Sequence, residues 1–253
     1  MNNNIILIIS NDNYFQPDYL SDLIKITKIS NSNILKVFIL RRPSKLQNFL
    51  ISNLFRLKIS EFFKLCILKF CTSYINNFLK LKIKNFSSQD ILIKNRINFK
   101  FIKNVNEKKI YQKLLKLKPL IINTADQIII KKIIKMFNYK IYNIHLSLLP
   151  KYAGRWTMFQ QMANNEKFTG ITLHKINIKV DAGKIIKQKK IILQKNYSLF
   201  ENQLNCYKQI PNLLKNSLRK NFIVKKKIDK RELYHFPNNH DWYKFRKKKC
   251  RII

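Results

Sequence analysis

The chain alternates short apolar runs with segments whose apolar residues recur at helical spacing. Residues 5–9 (IILII) are continuously apolar and are followed by polar residues 11–13, which predicts a buried first strand and a turn. A helical pattern over residues 18–27 and a second apolar run, ILKVFIL, complete the opening of a βαβ unit. From Pro43 to Lys84 the spacing is again helical, first through Leu46, Leu50, Leu54 and Leu57, then through Phe63, Cys66, Phe70, Tyr74 and Phe78. We read this stretch as two amphipathic helices inserted into the domain. Packing of their stripe on the core is favoured over a helix pair lying on a membrane surface. Then come a connecting strand near residues 91–93, a helix around 107–117, the strand PLIINTA, the segment QIIIKKIIKMF and the strand KIYNIHLS. Strands alternating with helices predict an α/β fold, with a mostly parallel sheet and helices on both faces. In such sheets ligands collect at the carboxyl ends of strands, so the turns after Ile122 and Ile144 are where chemistry is expected.

Length and composition narrow this only a little. A chain of 253 residues suits one sizeable domain plus a tail, here read as residues 1–193 with the insertion at 43–84, then a helical segment at 194–253 that ends in a basic, aromatic tail. Lys+Arg 51 against Asp+Glu 13 gives a net charge of +38, which on its face points to a polyanionic partner. The residues in excess, however, are Lys, Asn, Ile, Phe and Tyr, all with A/T-rich codons, while glycine has fallen to 3. Compositional drift is the simpler source of the charge, which therefore bears weakly on function. Cys66, Cys71, Cys206 and Cys250 show neither C-x-x-C spacing nor paired histidines, so no metal site or disulfide framework is indicated, and a reducing, cytoplasmic setting is expected. The amino terminus lacks a basic region and its apolar run is too short for a signal peptide. Lysines interrupt every long apolar segment, so no bilayer span is expected.

Residues 143–186 differ from everything around them. They hold all 3 glycines, Gly154, Gly170 and Gly183, together with three of the four alanines. In a chain that has lost glycine elsewhere, survivors should mark backbone that tolerates no side chain. Asn143 and His145 alternate along a strand and so share a face, with Ile144 turned the other way. Acyl transfer to an amine develops an oxyanion, which needs a fixed hydrogen-bond donor and a group that moves a proton. Asn143 suits the first role and His145 the second, although an Asn-x-His taken alone reads more readily as a satisfied structural pair. Asp181, in the sequence VDAG, supplies a negative charge that stabilises an imidazolium and orients the ring or a water.

The stretch NIHLSLLPKYAG, followed by GITLHKINIKVDAGKII, resembles the signature region of the folate-dependent formyltransferases, a family that includes the glycinamide ribonucleotide, methionyl-tRNA and sugar-amine enzymes. Its Asn-x-His-x-Ser-Leu-Leu-Pro, Gly-x-Thr and Asp-x-Gly elements fall at residues 143–150, 170–172 and 181–183, in order and without a gap. The resemblance implies a Rossmann-like sheet, 10-formyltetrahydrofolate as donor without a metal, and catalytic roles for Asn143, His145 and Asp181. Upstream, PLIINTADQIII is similar to the strand and loop whose backbone lines the folate pocket, which implies folate contacts at Asp126, Gln127 and Ile128, with Gly183 joining them. Ser147 and Gly154 are the corresponding candidates on the acceptor side.

Departures from the pattern are confined to Asn177, Lys179, Ala182 and Lys184, which stand where acidic residues, glycine or threonine are frequent; none removes a catalytic group. The acceptor stays open. The turn SNDNYFQP lacks a glycine-rich phosphate loop, which disfavours a purine-pathway acceptor, and after Leu193 there is room for a helix pair and a tail rather than the C-terminal β-barrel of the methionyl-tRNA enzymes. A reduced enzyme acting on tRNA, whose basic surface would grip phosphates, and a sugar-amine or other small-amine enzyme both remain. The tail YHFPNNHDWYKFRKKKCRII is read as a docked segment with a solvated charge run, in preference to a stacking surface for an anionic acceptor. A further class is an inactive scaffold serving as a basic nucleic-acid-binding or membrane-surface module. No obligate protein partner is inferred.

Overall fold

The computed structural model describes residues 3–12, 15–41, 56–74, 87–138, 140–219, 222–224, 228 and 230–253. The first apolar run is β1 (Asn3–Ser10), in which Ile5, Ile6 and Ile8 are 0% exposed. Such a run is apolar at every position because a central parallel strand is covered on both faces. It pairs in parallel with β2 (Ser32–Leu40) on one side and β4 (Leu120–Asn123) on the other. Parallel pairing continues outward to β3 (Phe99–Ile102) and β5 (Ile141–His145). Beyond β5 the direction reverses: β7 (Phe168–Lys175) runs antiparallel to it and β8 (Ile185–Ile192) antiparallel to β7, giving the order β3-β2-β1-β4-β5-β7-β8. A two-stranded parallel patch pairs β6 (Ala153–Gly154) with β9 (Leu233–Tyr234).

Helices cover both faces. On one, α1 (Gln16–Ile29), α3 (Ser88–Lys94), α6 (Thr157–Ala163), α7 (Leu199–Arg219) and α8 (Asn239–Lys247) share a core with Ile5, Leu7, Ile9, Ile144, Ile171 and Leu173. On the other, the short α4 (Lys109–Gln112) and α5 (Lys131–Met136) close over Ile6, Ile8, Ile121 and Ile141. Alternation along the strands therefore places Asn123, Asn143 and His145 on this second face, continuing the line of Ile121 and Ile141.

The carboxyl-terminal segment is built into the first core. Cys206, Ile210, Leu214 and Phe245 are 0% exposed, and the Phe245 ring stacks on Phe159 of α6 with centroids 4.3 Å apart. In α8, which opens with a capping box between Asn238 and Asp241, Trp242 is also buried, while Tyr243 is 62% exposed.

Three expectations from the sequence need correction. Residues 91–93 are not a strand but lie in α3, whose Ser87 side chain caps Asp90 N at 3.3 Å. Adjacent Ile91 and Leu92 are buried while Ile93 is 58% exposed, a helical burial pattern that a three-residue apolar run does not distinguish from strand alternation. The helix around 107–117 is broken into α4 and a 3-10 turn at Leu115–Leu117. Within the expected insertion, α2 (Ile59–Tyr74) is helical, but Phe63 is 59% exposed and Cys66 is exposed as well, so these two stripe positions do not pack on the core. Glu61 anchors that helix instead: its carboxylate accepts from Arg246 of α8 at 2.6 and 2.9 Å and from Ile252 N at 2.8 Å. The first expected helix of the insertion, with Leu46, Leu50 and Leu54, and the position of Phe78 lie outside the described residues.

Candidate active site

Register brings the polar residues together. Asn123, Asn143 and His174 are direct neighbours across β4, β5 and β7, one on each strand. The next row on the same face is His145, Thr172 and Gln188 across β5, β7 and β8. In the first row the Asn123 amide donates to Asn143 Oδ1 at 3.0 Å, and Asn143 Nδ2 lies 3.2 Å from His174 Nε2. In the second, Gln188 Nε2 donates to Thr172 Oγ1 at 2.9 Å, and the Thr172 hydroxyl donates to the Ser147 carbonyl at 2.6 Å. Asn143 is half-buried, whereas His145 and His174 are buried.

Asp181 closes over both rows. Its Oδ2 lies 3.5 Å from His145 Nδ1, its Oδ1 lies 3.5 Å from His174 Nε2, and Oδ2 also accepts the Gly154 N–H at 2.8 Å. Burial opposes its ionisation, but the charge of His145, the hydrogen bond and charge of His174, and the Gly154 N–H outweigh that penalty and hold the carboxyl well below the usual carboxylate range. The carboxylate is therefore charged throughout the physiological range. His145 is fixed from the far side, where Nε2 lies 2.8 Å from the Tyr152 carbonyl. A carbonyl only accepts, so Nε2 carries a hydrogen, and Nδ1 is the nitrogen turned towards Asp181.

Two of the surviving glycines hold this arrangement by having no side chain. Gly154 has φ +99, and a Cβ there would sit 2.1 Å from the Tyr234 carbonyl. At Gly183 a Cβ would sit 1.5 Å from the Lys175 carbonyl, so the turn carrying Asp181 presses against the end of β7 only because residue 183 is glycine.

The family model described as formyl transferase matches residues 83–209, which takes in both polar rows and Asp181. The chain belongs to the formyl transferase family. Among curated proteins, it is 34% identical over 156 residues to the bifunctional polymyxin resistance protein ArnA of Wigglesworthia glossinidia brevipalpis, covering 58% of this chain and 24% of that one. It is 32% identical over 101 residues to a methionyl-tRNA formyltransferase of Finegoldia magna, covering 39% of this chain and 33% of that one. The matches thus span a third or less of either relative. Among solved structures, the fold is similar to that of an N-formyltransferase from Helicobacter canadensis in complex with folinic acid and dTDP-3-aminofucose, with a TM-score of 0.56 and 18% identity over 92% of this chain and 71% of that one.

In this member of the formyl transferase family the other site residues expected from sequence fall in two places. Asp126, Gln127 and Ile128 form the loop that leaves β4 beside Asn123. The Gln127 side chain is taken up in pinning that loop, accepting from Val105 N at 2.8 Å and donating to Asn104 Oδ1 at 2.9 Å. The Ile128 carbonyl accepts from Asn106 Nδ2 at 3.0 Å and its side chain is 52% exposed. Asp126 receives the Ser10 hydroxyl at 3.4 Å. Ser147, by contrast, is 0% exposed, and its hydroxyl lies 3.0 and 3.1 Å from the Lys151 and Tyr152 carbonyls. It shapes the turn that offers Tyr152 to His145 and presents no surface to an acceptor.

Sequence reasoning missed His174, Asn123 and the Tyr152 carbonyl, and gave Thr172 no role beyond its place in the Gly-x-Thr element. For His174 and Thr172 a signal was available, since they alternate in GITLHK as Asn143 and His145 do in NIH. The antiparallel register that sets the two pairs side by side was not. Among the described residues, no group of three or more His, Cys, Asp or Glu side chains is placed to hold a metal ion, and no helix is long and apolar enough to cross a membrane.

Proposed function

We propose that the chain transfers a formyl group from 10-formyltetrahydrofolate to an amine, and that methionyl-tRNA is the acceptor to test first. The observation that carries this reading is the meeting of a half-buried amide and a buried imidazole in two adjacent rows of one sheet face, with an ionised carboxylate closing over them. As the amine adds to the formyl carbon, negative charge gathers on the formyl oxygen, where Asn143 Nδ2–H donates to it. His145 Nδ1 takes the proton that the amine gives up and passes it towards the folate nitrogen as its bond to the formyl carbon breaks. Asp181 stabilises the imidazolium between those two moments. Asp126, Gln127, Ile128 and Gly183 line the donor side, largely through backbone, because the Gln127 side chain is already engaged.

Transfer RNA is supported as acceptor by the net charge of +38, which strengthens attraction to a phosphate backbone whatever its evolutionary source, and by the likeness to a methionyl-tRNA formyltransferase. The test pairs a binding measurement with a turnover measurement. Titration with folinic acid should saturate, and formyl transfer from 10-formyltetrahydrofolate should be fastest with methionyl-tRNA in a panel that includes amino-sugar nucleotides and small amines. Preference for an amino-sugar nucleotide overturns the acceptor and keeps the chemistry. Absence of saturable folate binding overturns both and favours an inactive scaffold.

A further inference from the structure

Asn123 is a buried amide at the end of β4, 3% exposed, next to the apolar Ile121 and Ile122, and it takes no part in the proton or charge steps just described. Its hydrogen bonds nevertheless have only one solution. Asn123 Oδ1 accepts from Ala125 N at 3.3 Å, and Nδ2 donates to the Ala125 carbonyl at 3.1 Å. Backbone donors and acceptors cannot exchange roles, so this amide has a single orientation. Its second Nδ2 hydrogen faces Asn143, which must answer with Oδ1, at 3.0 Å.

The opposite flank places the His174 ring beside the Asn143 nitrogen. His174 Nδ1 lies 3.1 Å from the Lys175 carbonyl, and its Nε2 faces both Asn143 Nδ2 at 3.2 Å and the Asp181 carboxylate at 3.5 Å. The Asn143 amide is thus specified from the Ala125 backbone through Asn123, which takes its Oδ1 and leaves its Nδ2 on the His174 side. The Nδ2 group lies against the His174 ring at 3.2 Å, on the side away from Asn123.

We infer that Asn123 is a positioning residue that fixes the Asn143 amide with its N–H side towards the reacting oxygen. The need is physical: an asparagine amide turned by half a rotation fills the same volume but presents a carbonyl oxygen to a developing negative charge, turning an attraction into a repulsion. A lone asparagine pays little to adopt either orientation, and packing cannot tell nitrogen from oxygen. Only a partner with a fixed donor can. The catalytic consequence rests on the formyl-transfer reading, whereas the orientation itself does not.

The experiment reads the two separately. In the unchanged full chain, NMR should show nuclear Overhauser contacts from the Asn143 amide protons to the His174 ring. Asn123→Asp keeps the size but leaves only acceptors, so the Asn143 amide should turn its Nδ2 towards residue 123 and lose that contact. In formyl transfer the same variant should lose about 10² to 10³ in kcat, as expected for a missing oxyanion donor, with little change in KM for the folate. Asn123→Leu, which leaves the amide unanchored without reversing it, should lose about 10- to 100-fold, by analogy with the loss seen when partners that orient metal-binding side chains are removed; it also serves if the buried carboxylate prevents folding. Asn143 amide protons that face Asn123 in the unchanged chain, or that stay against His174 in Asn123→Asp, would overturn the inference. So would full turnover of Asn123→Asp beside a crippled Asn143→Ala. Full turnover of Asn143→Ala would instead overturn the formyl-transfer reading and leave the orientation to stand on the NMR contacts.

Discussion

The sheet has two halves that meet at β5, and they do different work. From β3 to β5 every pair is parallel, and the central strand is buried and aliphatic from Ile5 to Ile9. From β5 to β8 the pairs are antiparallel, and Asn143, His145, Thr172, His174 and Gln188 replace aliphatics on the face that α4 and α5 no longer cover. The parallel half supplies burial, and the proposed chemistry lies at the seam. It follows that damage to the two should be felt in different measurements.

The largest separation is expected at the seam. His145→Ala removes the proton-exchanging nitrogen and should cost on the order of 10² to 10⁴ in turnover, while the midpoint of denaturant unfolding moves far less than a core truncation would move it. In the parallel half, Ile6→Ala empties a position that is 0% exposed and should cost about 2 to 5 kcal/mol of stability. Turnover per folded molecule should be unchanged; a loss of kcat that persists when the folded fraction is corrected for would show that the halves are not separable.

Asp181 belongs to both measurements, and pH distinguishes them. Its carboxyl is held below the usual range in the folded chain, so the unfolded chain binds more protons on acidification. The stability it contributes is complete above the ordinary aspartate value of about 3.9 and is lost as pH falls below that towards the folded value. Unfolding midpoints followed from pH 6 to pH 3 should therefore drop more steeply for the unchanged chain than for Asp181→Asn, and parallel slopes would contradict the assignment. The smallest effect is expected far from either half: Phe63→Ser, on an exposed position of α2, should change stability by no more than about 0.5 kcal/mol, checked in the same unfolding assay.

The same division explains what could be read from the sequence. In the parallel half β1, β2, β4 and β5 were legible because βαβ connections are local and handed, and an apolar run such as residues 5–9 has few other uses, whereas β3 at Phe99–Ile102 was missed. The retained glycines were also legible as backbone constraints, and at Gly154 and Gly183 a Cβ would meet a carbonyl oxygen. The partners across the seam were not. His174 reaches Asn143 only through a strand reversal, and Asn123 matters only through a backbone turn at Ala125, neither of which leaves a pattern in the sequence. Helix α3 was mistaken for a strand for a related reason: three residues are too few to show a period, and the Ser87 cap that decides the matter is a single hydrogen bond. Burial of Glu61 against Arg246, 185 residues away, could not be anticipated from either local pattern.

The central claim is that Asn143 and His145 act as one unit in formyl transfer at this seam, and a double-mutant cycle on kcat/KM tests it most directly. Asn143→Ala alone should cost about 10² to 10³ and His145→Ala alone about 10² to 10⁴. Together they should cost much less than the product of the two, because once one partner is gone the other has little left to assist. Losses that simply multiply, or a His145→Ala chain as fast as the unchanged one with an acceptor that the unchanged chain demonstrably formylates, would contradict the account.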